Sequence, residues 1–336
     1  MKQVLIIQTA FIGDAILSTA LAESIHASFP DAYIDILVKN DQLTLFDNHP
    51  YINNVFLFNR GFGKLKELRR LLKLIRSKKY DAVINCHRFF SSGFLTAFSG
   101  ATVRSGFSKN PLSLFFTHKS THSLNHIHEI DRNIQLVDFA GIKKSLMPKL
   151  YISDDIDMSV AEYKEKKYVC IAPASVWFTK QFPVEKWIEF LNTIPSSITV
   201  YLLGAENDRD LCQLILKGSG VKNTVNLSGK LNLLQTASLM KDATMNYVND
   251  SAPLHITSAV DAPVTALFCS TVPSFGFGPL SSDNHIVQVE TDLACRPCGI
   301  HGKKTCPEKH FRCAMDIDIH TMTNILLEKL KENHNG

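Results

Sequence analysis

The sequence predicts an α/β protein with two parallel sheets, and three observations lead to that prediction. Short apolar runs alternate with helix-like segments along the chain, which is typical of βαβ units. The same order of segments occurs twice, once in each half of the 336 residues. At ~150 residues per domain, this length agrees with two domains that each bury a core. The hydrophobic (45%) and charged (20%) fractions are those of a globular enzyme and exclude a disordered chain.

The elements of the first half begin with the apolar run at residues 4–7, the first predicted strand. A helix pattern follows, in which apolar residues recur about every four positions until Pro30 stops it. A strongly basic helix is expected over 64–79, and another helix over 126–140 ends at Gly141, a residue suited to a helix terminus. Further strands are predicted at 34–38, 55–58 and 82–85.

The second half repeats this order, with strands predicted at 168–171, 198–203, 246–248 and 264–268. Helices are expected over 184–192 and 318–331. We therefore predict two Rossmann-like domains whose parallel sheets face a central cleft. The predicted division is an N-terminal domain (1–152), a polar linker (153–167), a C-terminal domain (168–317) and a last helix (318–336) that packs back on the first domain.

Charge and hydropathy exclude several other classes of protein. The net charge of +4 is too small to indicate nucleic-acid binding. No apolar run approaches the ~18–20 residues of a membrane span. The first residues lack the apolar region and cleavage site of a signal peptide, so we expect a cytoplasmic protein.

The turn after the first strand contains Gly13 and Asp14. Ligands of open α/β sheets bind beyond the carboxyl ends of the strands, so Asp14 is a candidate for chemistry. A plain helix cap is the alternative interpretation of this carboxylate. No G-x-G-x-x-G follows the first strand, which argues against a dinucleotide fingerprint.

The turns of the second half carry more polar side chains. Ser175, Thr179 and Lys180 follow the strand at 168–171, and a hydroxyl with an ammonium there suits a diphosphate. Glu206 follows the next strand and suits a ribose. A solvated loop lysine and a first-turn helix acid are the alternative interpretations.

The segment 249–255 lies between a strand and a helix. Asp250 is placed to cap that helix, and the free amides from Ser251 onward suit an anion. His255 lies one turn further, on the side of Ser251. The group indicates either a ligand site or an ordinary fold element.

In order and spacing, these motifs resemble the ADP-heptose:lipopolysaccharide heptosyltransferase family, whose fold is GT-B. The resemblance spans nearly the whole chain. It is carried by Gly13-Asp14, His128-Glu129-Ile130-Asp131-Arg132, the loop 175–180, Trp187, Gly204-Ala205-Glu206, Ser228-Gly229-Lys230-Leu231 and the segment 249–255.

The resemblance implies an inverting, metal-independent transfer of heptose from ADP-L-glycero-D-manno-heptose to an acceptor in the lipopolysaccharide inner core. It implies Asp14 as the general base. The implied nucleotide-sugar residues are Ser175, Thr179 and Lys180 at the diphosphate, Glu206 and Leu231 at the ribose and adenine, and Asp250, Ser251, Ala252 and His255 at the sugar and phosphates. Ala252 departs from the usual glycine, which leaves another nucleotide sugar or acceptor as the alternative.

The same family resemblance implies an anionic, lipid-linked acceptor made at the inner face of the membrane. The basic helix, with Leu65, Leu68, Leu72 and Ile75 as its apolar stripe, is a candidate for peripheral contact with that face. A solvated surface helix is the alternative. Arg88, Arg104 and Lys109 are candidates for the acceptor side.

Four of the eight cysteines crowd into a C-terminal segment with the spacing C-x2-C-x7-C-x6-C. They are Cys295, Cys298, Cys306 and Cys313. A structural zinc and packed reduced thiols are equally favoured, with a disulfide as the third alternative. No Asp-x-Asp pair lies in a donor loop, so we expect no metal or other cofactor in catalysis.

The sequence is also compared with two other classes, a nicotinamide oxidoreductase and a non-catalytic binding protein. A nicotinamide oxidoreductase would share the alternation of strands and helices, but the missing glycine fingerprint argues against it. A non-catalytic binding protein would not need Asp14 together with Lys180.

Overall fold

The computed structural model describes residues 1–59, 61, 63–124 and 126–332. The chain forms two compact units, Met1–Tyr151 and Ile152–Gly336, each built around a six-stranded parallel sheet. This confirms the predicted α/β class and the two Rossmann-like halves.

The first unit contains the strands β1 (Gln3–Ile7), β2 (Tyr33–Lys39), β3 (Ile52–Phe58), β4 (Ala82–Asn85), β5 (Val103–Phe107) and β6 (His118–Ser120). Its helices are α1 (Ile12–Leu17), α2 (Thr19–Ser28), α3 (Lys64–Lys78), α4 (Phe90–Ala97) and α5 (Glu129–Ile134). The strand order is β3-β2-β1-β4-β5-β6. The order therefore reverses between β1 and β4, and in such sheets this reversal marks the ligand crevice.

Helix α3 shows how packing selects the buried face of an amphipathic segment. Leu68, Leu71 and Ile75 lie in the hydrophobic core of the first unit. Leu65 is 71% exposed, so its place in the predicted apolar stripe was wrong. The helix ends at Lys79, which adopts a left-handed conformation.

The second unit contains the strands β7 (Tyr168–Ala172), β8 (Thr199–Leu202), β9 (Thr224–Asn226), β10 (Met245–Asn249), β11 (Val264–Phe268) and β12 (Asn284–Gln288). Its helices are α6 (Asp154–Met158), α7 (Val184–Leu191), α8 (Arg209–Gly218), α9 (Leu233–Lys241), α10 (Ala252–Ala259), α11 (Arg312–Met315) and α12 (Ile319–Glu332). The strand order is β12-β11-β10-β7-β8-β9, which places the reversal between β7 and β10.

Two predicted boundaries differ from the structure. The polar stretch 153–167 is not a plain linker, since it contains α6 and a 3-10 helix (Ala161–Lys164) within the second unit. Lys164 ties it to that unit through an ion pair with Asp242 (2.6 Å). The last helix, α12, places Met322 and Leu326 in the core of the second unit, whereas we expected it to pack on the first domain.

Candidate active site

Asp14 is the third residue of α1, just beyond the carboxyl end of β1. Its Oδ2 accepts a hydrogen bond from the backbone N–H of Phe11 at 3.1 Å. The carboxylate therefore does cap the helix start, as the alternative interpretation held. A capped carboxylate is also held in one orientation, which is useful for a group that must accept a proton.

The loops after β1 and β4 meet across the reversal of the first sheet. Thr9 Oγ1 and His87 Nδ1 share a hydrogen bond of 3.0 Å. Asn85, the last residue of β4, accepts the backbone N–H of His87 at 2.9 Å. Arg88 follows directly, so the structure places it at the same sheet edge as Asp14.

A buried ion pair, Glu129 with Arg132, opens helix α5. Arg132 Nε donates to Glu129 Oε2 at 2.8 Å, and both side chains are buried. Burial raises the pKa of Glu129 to about 7; the positive charge of Arg132 opposes this shift, and the negative charge of Asp14 adds to it. In the sequence, this helix start carries part of the family resemblance, but neither residue has a predicted role. The signal that it contained was an acid and a base three positions apart in a short helix.

Positive charge gathers beyond the carboxyl ends of β4, β5 and β6. Burial lowers the pKa of His122 to about 4, and the charges of Arg88, Arg132 and Lys109 add to that shift. The structure thus brings Arg88 and Lys109 toward one region, and their role on an acceptor side stays a prediction.

Arg104 does not belong to that region. It lies near the start of β5. In a parallel sheet this is the amino end of the strands, whereas Asp14 lies beyond the carboxyl end. Its guanidinium donates to the carbonyl oxygens of Ala101 (2.7 Å) and Phe115 (3.0 Å). The prediction failed because position along the chain does not show which end of a strand a residue occupies.

In the second unit, Lys180 and Asp250 form an ion pair across the reversal between β7 and β10. Lys180 Nζ lies 2.7 Å from Asp250 Oδ2, and the two side chains are 14% and 6% exposed. The same Asp250 oxygen accepts the hydroxyl of Thr271 at 2.6 Å. Asp250 is therefore not the cap of α10 that we expected, because its carboxylate is bound elsewhere.

Helix α10 begins at the same edge. Ser251 is its N-cap residue, and Ala252 is its first residue. His255 is buried one turn further, with its ring 6.2 Å from that of Phe277. Residues 250–255 thus place amides of a helix N-terminus next to the Lys180 ammonium, an arrangement that favours an anion.

The structure gives Thr179 a role in holding its own loop, while its contact with a diphosphate stays a prediction. Its buried hydroxyl oxygen accepts hydrogen bonds from Ser270 Oγ (3.0 Å) and from the backbone N–H of Lys303 (2.7 Å). It therefore anchors the loop that carries Lys180. Ser175 lies on the same loop, and its carbonyl oxygen accepts Gln181 Nε2 at 2.6 Å.

The two loops that carry the residues predicted for ribose and adenine are hydrogen-bonded to each other. The backbone N–H of Gly229 donates to the carbonyl of Gly204 at 2.9 Å, which joins the loop of Glu206 to that of Leu231. Gly229 has φ +73°, and a Cβ there would lie 2.0 Å from Glu206 Oε2. Only glycine fits this position without moving Glu206.

The four clustered cysteines line one pocket of about 480 Å³, together with His310. Among residues 1–59, 61, 63–124 and 126–332, no three His, Cys, Asp or Glu side chains already stand where they could hold a metal. All eight cysteines are free thiols, so the structure contains none of the disulfides kept as an alternative. The other four cysteines are buried core residues: Cys86, Cys170, Cys212 and Cys269.

None of the helices that the structure describes is long and apolar enough to cross a membrane.

Comparisons with known proteins agree with this fold. Lipopolysaccharide heptosyltransferase 3 of Escherichia coli K12 is 27% identical over 289 residues, which cover 77% of this chain and 80% of that protein. Heptosyltransferase 2 of the same strain is 24% identical over 326 residues, covering 86% and 88%. The structure of E. coli ADP-heptose lipopolysaccharide heptosyltransferase II matches the fold with a TM-score of 0.83 at 21% identity, covering 99% of this chain and 100% of that chain. The model of glycosyltransferase family 9 (heptosyltransferase) matches residues 68–311, so the chain belongs to that family of glycosyltransferases.

Proposed function

We propose that this chain is an inverting heptosyltransferase that moves heptose from ADP-L-glycero-D-manno-heptose to a lipopolysaccharide inner-core acceptor. The observation that carries the proposal is the Lys180–Asp250 pair (2.7 Å) beside the start of α10. Lys180 supplies an oriented ammonium and α10 supplies free amides where the strand order of the second sheet reverses. Asp14 supplies a carboxylate at the first sheet.

Asp14 is the general base in this proposal. Its carboxylate takes the proton of an acceptor hydroxyl, and the acceptor oxygen attacks the anomeric carbon of the heptose. The bond between that carbon and the ADP oxygen breaks, and its electron pair stays on ADP. One displacement inverts the configuration, so the enzyme needs no nucleophile of its own.

The second unit stabilises the departing ADP. Lys180 and the first amides of α10 face the negative charge that grows on the diphosphate, which makes their contribution largest in the transition state. Asp250 fixes the position of the ammonium. Ser175, His255, Glu206 and Leu231 are assigned to binding the rest of the nucleotide sugar, and no metal ion takes part.

Ala252 supports a second candidate within the same family, an enzyme that uses another nucleotide sugar or another acceptor. It is the first residue of α10, where its methyl group adds bulk close to the amides proposed to hold the donor. A smaller or differently branched sugar would fit there instead of heptose.

A lipid-linked acceptor requires contact with the cytoplasmic face of the membrane, and the first unit has a surface for it. The rings of Phe90, Phe94, Phe98 and Phe115 follow one another at centroid distances of 6.3, 5.1 and 5.7 Å along and beside α4. Three of these rings are at least 42% exposed. Exposed aromatic rings beside the basic helix α3 suit an interface of anionic lipids.

Transfer to a heptose-deficient lipopolysaccharide core, followed by mass spectrometry, tests the main proposal. We expect an added heptose with ADP-heptose as donor, and no transfer from UDP-sugars. Transfer from a different nucleotide sugar only would favour the second candidate. No transfer from any nucleotide sugar would contradict both.

A further inference from the structure

Residues 289–311, all of which the structure describes, connect β12 to α11 without a helix or strand. We call them the cysteine segment, because they carry Cys295, Cys298 and Cys306, with Cys313 just beyond in α11. Irregular stretches longer than ~12–15 residues are uncommon in compact domains and are usually functional. Ordering one costs conformational entropy that its own contacts must offset.

The cysteine segment has little apolar burial with which to offset that cost. Cys295, Cys298 and Cys306 are only partly buried, although cysteine is usually among the most buried residues. They line the same pocket as the buried Cys313. Gly299 follows Cys298 with φ +92°, a conformation that lets the chain turn sharply after the C-x-x-C pair.

This segment is bonded to the loop of Thr179 and Lys180. Lys303 and Thr179 share two hydrogen bonds. The backbone N–H of Lys303 donates to the side-chain Oγ1 of Thr179 (2.7 Å), and the backbone N–H of Thr179 donates to the carbonyl of Lys303 (3.1 Å). The N–H of Cys298 donates to the carbonyl of Ser270 at 2.9 Å, and Ser270 also bonds Thr179.

Gly302 lies closest to Lys180 itself. A Cβ at Gly302, which has φ +75°, would lie 2.9 Å from Lys180 Cγ. The cysteine segment therefore packs directly behind the stem of the lysine whose ammonium meets Asp250. A change in the segment will move that ammonium.

We propose that Cys295, Cys298, Cys306 and Cys313 bind one soft transition-metal ion such as zinc, and that this ion holds the cysteine segment against the Lys180 loop. Thiolates are the ligands that such metals prefer, and four of them complete a closed structural site. The thiols line the pocket without already standing in ligating positions, so binding includes rotation of their side chains. Each thiol loses its proton as its metal–sulfur bond forms.

The first test is elemental analysis of the whole chain. The protein is purified without a metal-affinity column, dialysed against a zinc salt, and then dialysed again to remove unbound zinc. We expect about one equivalent of zinc in the wild-type protein and none in Cys298→Ser. Cys212→Ser is the matched control, since Cys212 is a buried core thiol of α8 away from the pocket. Absence of metal from the wild-type protein, with all thiols titratable, would overturn the proposal. A mass loss that indicates a disulfide would overturn it as well.

The second test measures the consequence for ADP, and only this part rests on the proposed function. Calorimetry should show severalfold weaker ADP binding by Cys298→Ser and an unchanged affinity in Cys212→Ser. Equal ADP affinities, with metal bound in the wild type, would overturn the link to the Lys180 loop. If the wild-type protein itself does not bind ADP, the proposed function is contradicted. The metal content measured in the first test is unaffected by that result.

Discussion

The two sheets have the same strand order but different chemistry where that order reverses. Between β1 and β4, a hydrogen bond of 3.0 Å between Thr9 Oγ1 and His87 Nδ1 bridges the loops. Between β7 and β10, a largely buried ion pair, Lys180 with Asp250, bridges the loops at 2.7 Å. The same topology therefore supports two kinds of site, since the fold determines where the loops meet and the loop residues determine the charge.

The difference extends to the surroundings of each reversal. In the first unit, Asp14 lies near a buried carboxyl, Glu129, whose pKa is raised by burial to about 7. Such an environment suits proton transfer. In the second unit, Thr271 and Lys180 both bind the Asp250 carboxylate, which holds the Lys180 ammonium in one position.

The largest expected effect is on turnover, and it comes from Asp14, beside the reversal of strand order between β1 and β4. Asp14→Asn keeps an oxygen that accepts the Phe11 N–H but cannot take a proton, so kcat should fall by ~10²–10⁴-fold. ADP affinity should stay unchanged, because the residues assigned to ADP lie in the second unit. Steady-state kinetics with calorimetry measure both. Wild-type turnover would leave Asp14 with a capping role only.

A smaller effect, on nucleotide affinity, is expected from Lys180, beside the reversal of strand order between β7 and β10. Lys180→Ala should weaken ADP and the ADP-sugar about equally, by roughly ten- to a hundredfold, since both carry the diphosphate. Lys186→Ala is the control, because Lys186 pairs with Glu189 on α7 at 3.3 Å. Calorimetry that finds unchanged ADP affinity in Lys180→Ala would remove the diphosphate role.

The buried carboxyl of the first unit predicts a pH dependence of stability. The pKa of Glu129 is raised from 4.5 to about 7, so the folded form binds this proton more tightly than the unfolded form. Stability should therefore fall as pH rises from about 4.5 to 7. The Glu129→Gln variant has no carboxyl to ionise, so its stability does not fall in this way. Its free energy of unfolding, compared with that of the wild type, should therefore rise between pH 4.5 and 7 by on the order of 2 kcal/mol.

Glu67→Gln is the matched control for this measurement. Glu67 is also buried and also pairs with an arginine three positions on, but Arg70 is 54% exposed whereas Arg132 is buried. The hydrogen bond from Arg70 lowers the pKa of Glu67, so its variant should show a constant difference from wild type between pH 5 and 8. Urea unfolding at several pH values measures both variants. A constant difference for Glu129→Gln as well would contradict the raised pKa.

The smallest expected effect concerns the surface of the first unit. Lys73→Ala on α3 should weaken binding to vesicles of anionic phospholipid about fivefold, because each such lysine contributes roughly 1 kcal/mol near the membrane. Lys241→Ala, at the end of α9 in the second unit, should bind as wild type does. Co-sedimentation with anionic and neutral vesicles measures this. Equal binding to neutral vesicles would contradict an electrostatic contact.

The sequence by itself determined the α/β class and most of the strands. Buried parallel strands are continuous apolar runs, so 82–85 and 264–268 were predicted with the bounds that the structure has. Short strands such as β6 and β9 were missed, because three residues carry too little pattern.

The sequence also determined that Asp14, Lys180 and Asp250 lie just after strands, because turn residues after apolar runs are visible locally. Only the tertiary structure decided which of them meet. Lys180 and Asp250 are 70 positions apart, and no local pattern pairs them. Thr179 became a buried anchor and Arg104 fell at the opposite edge for the same reason. Contacts between distant loops depend on strand order and direction, which the sheet establishes and the linear pattern does not contain.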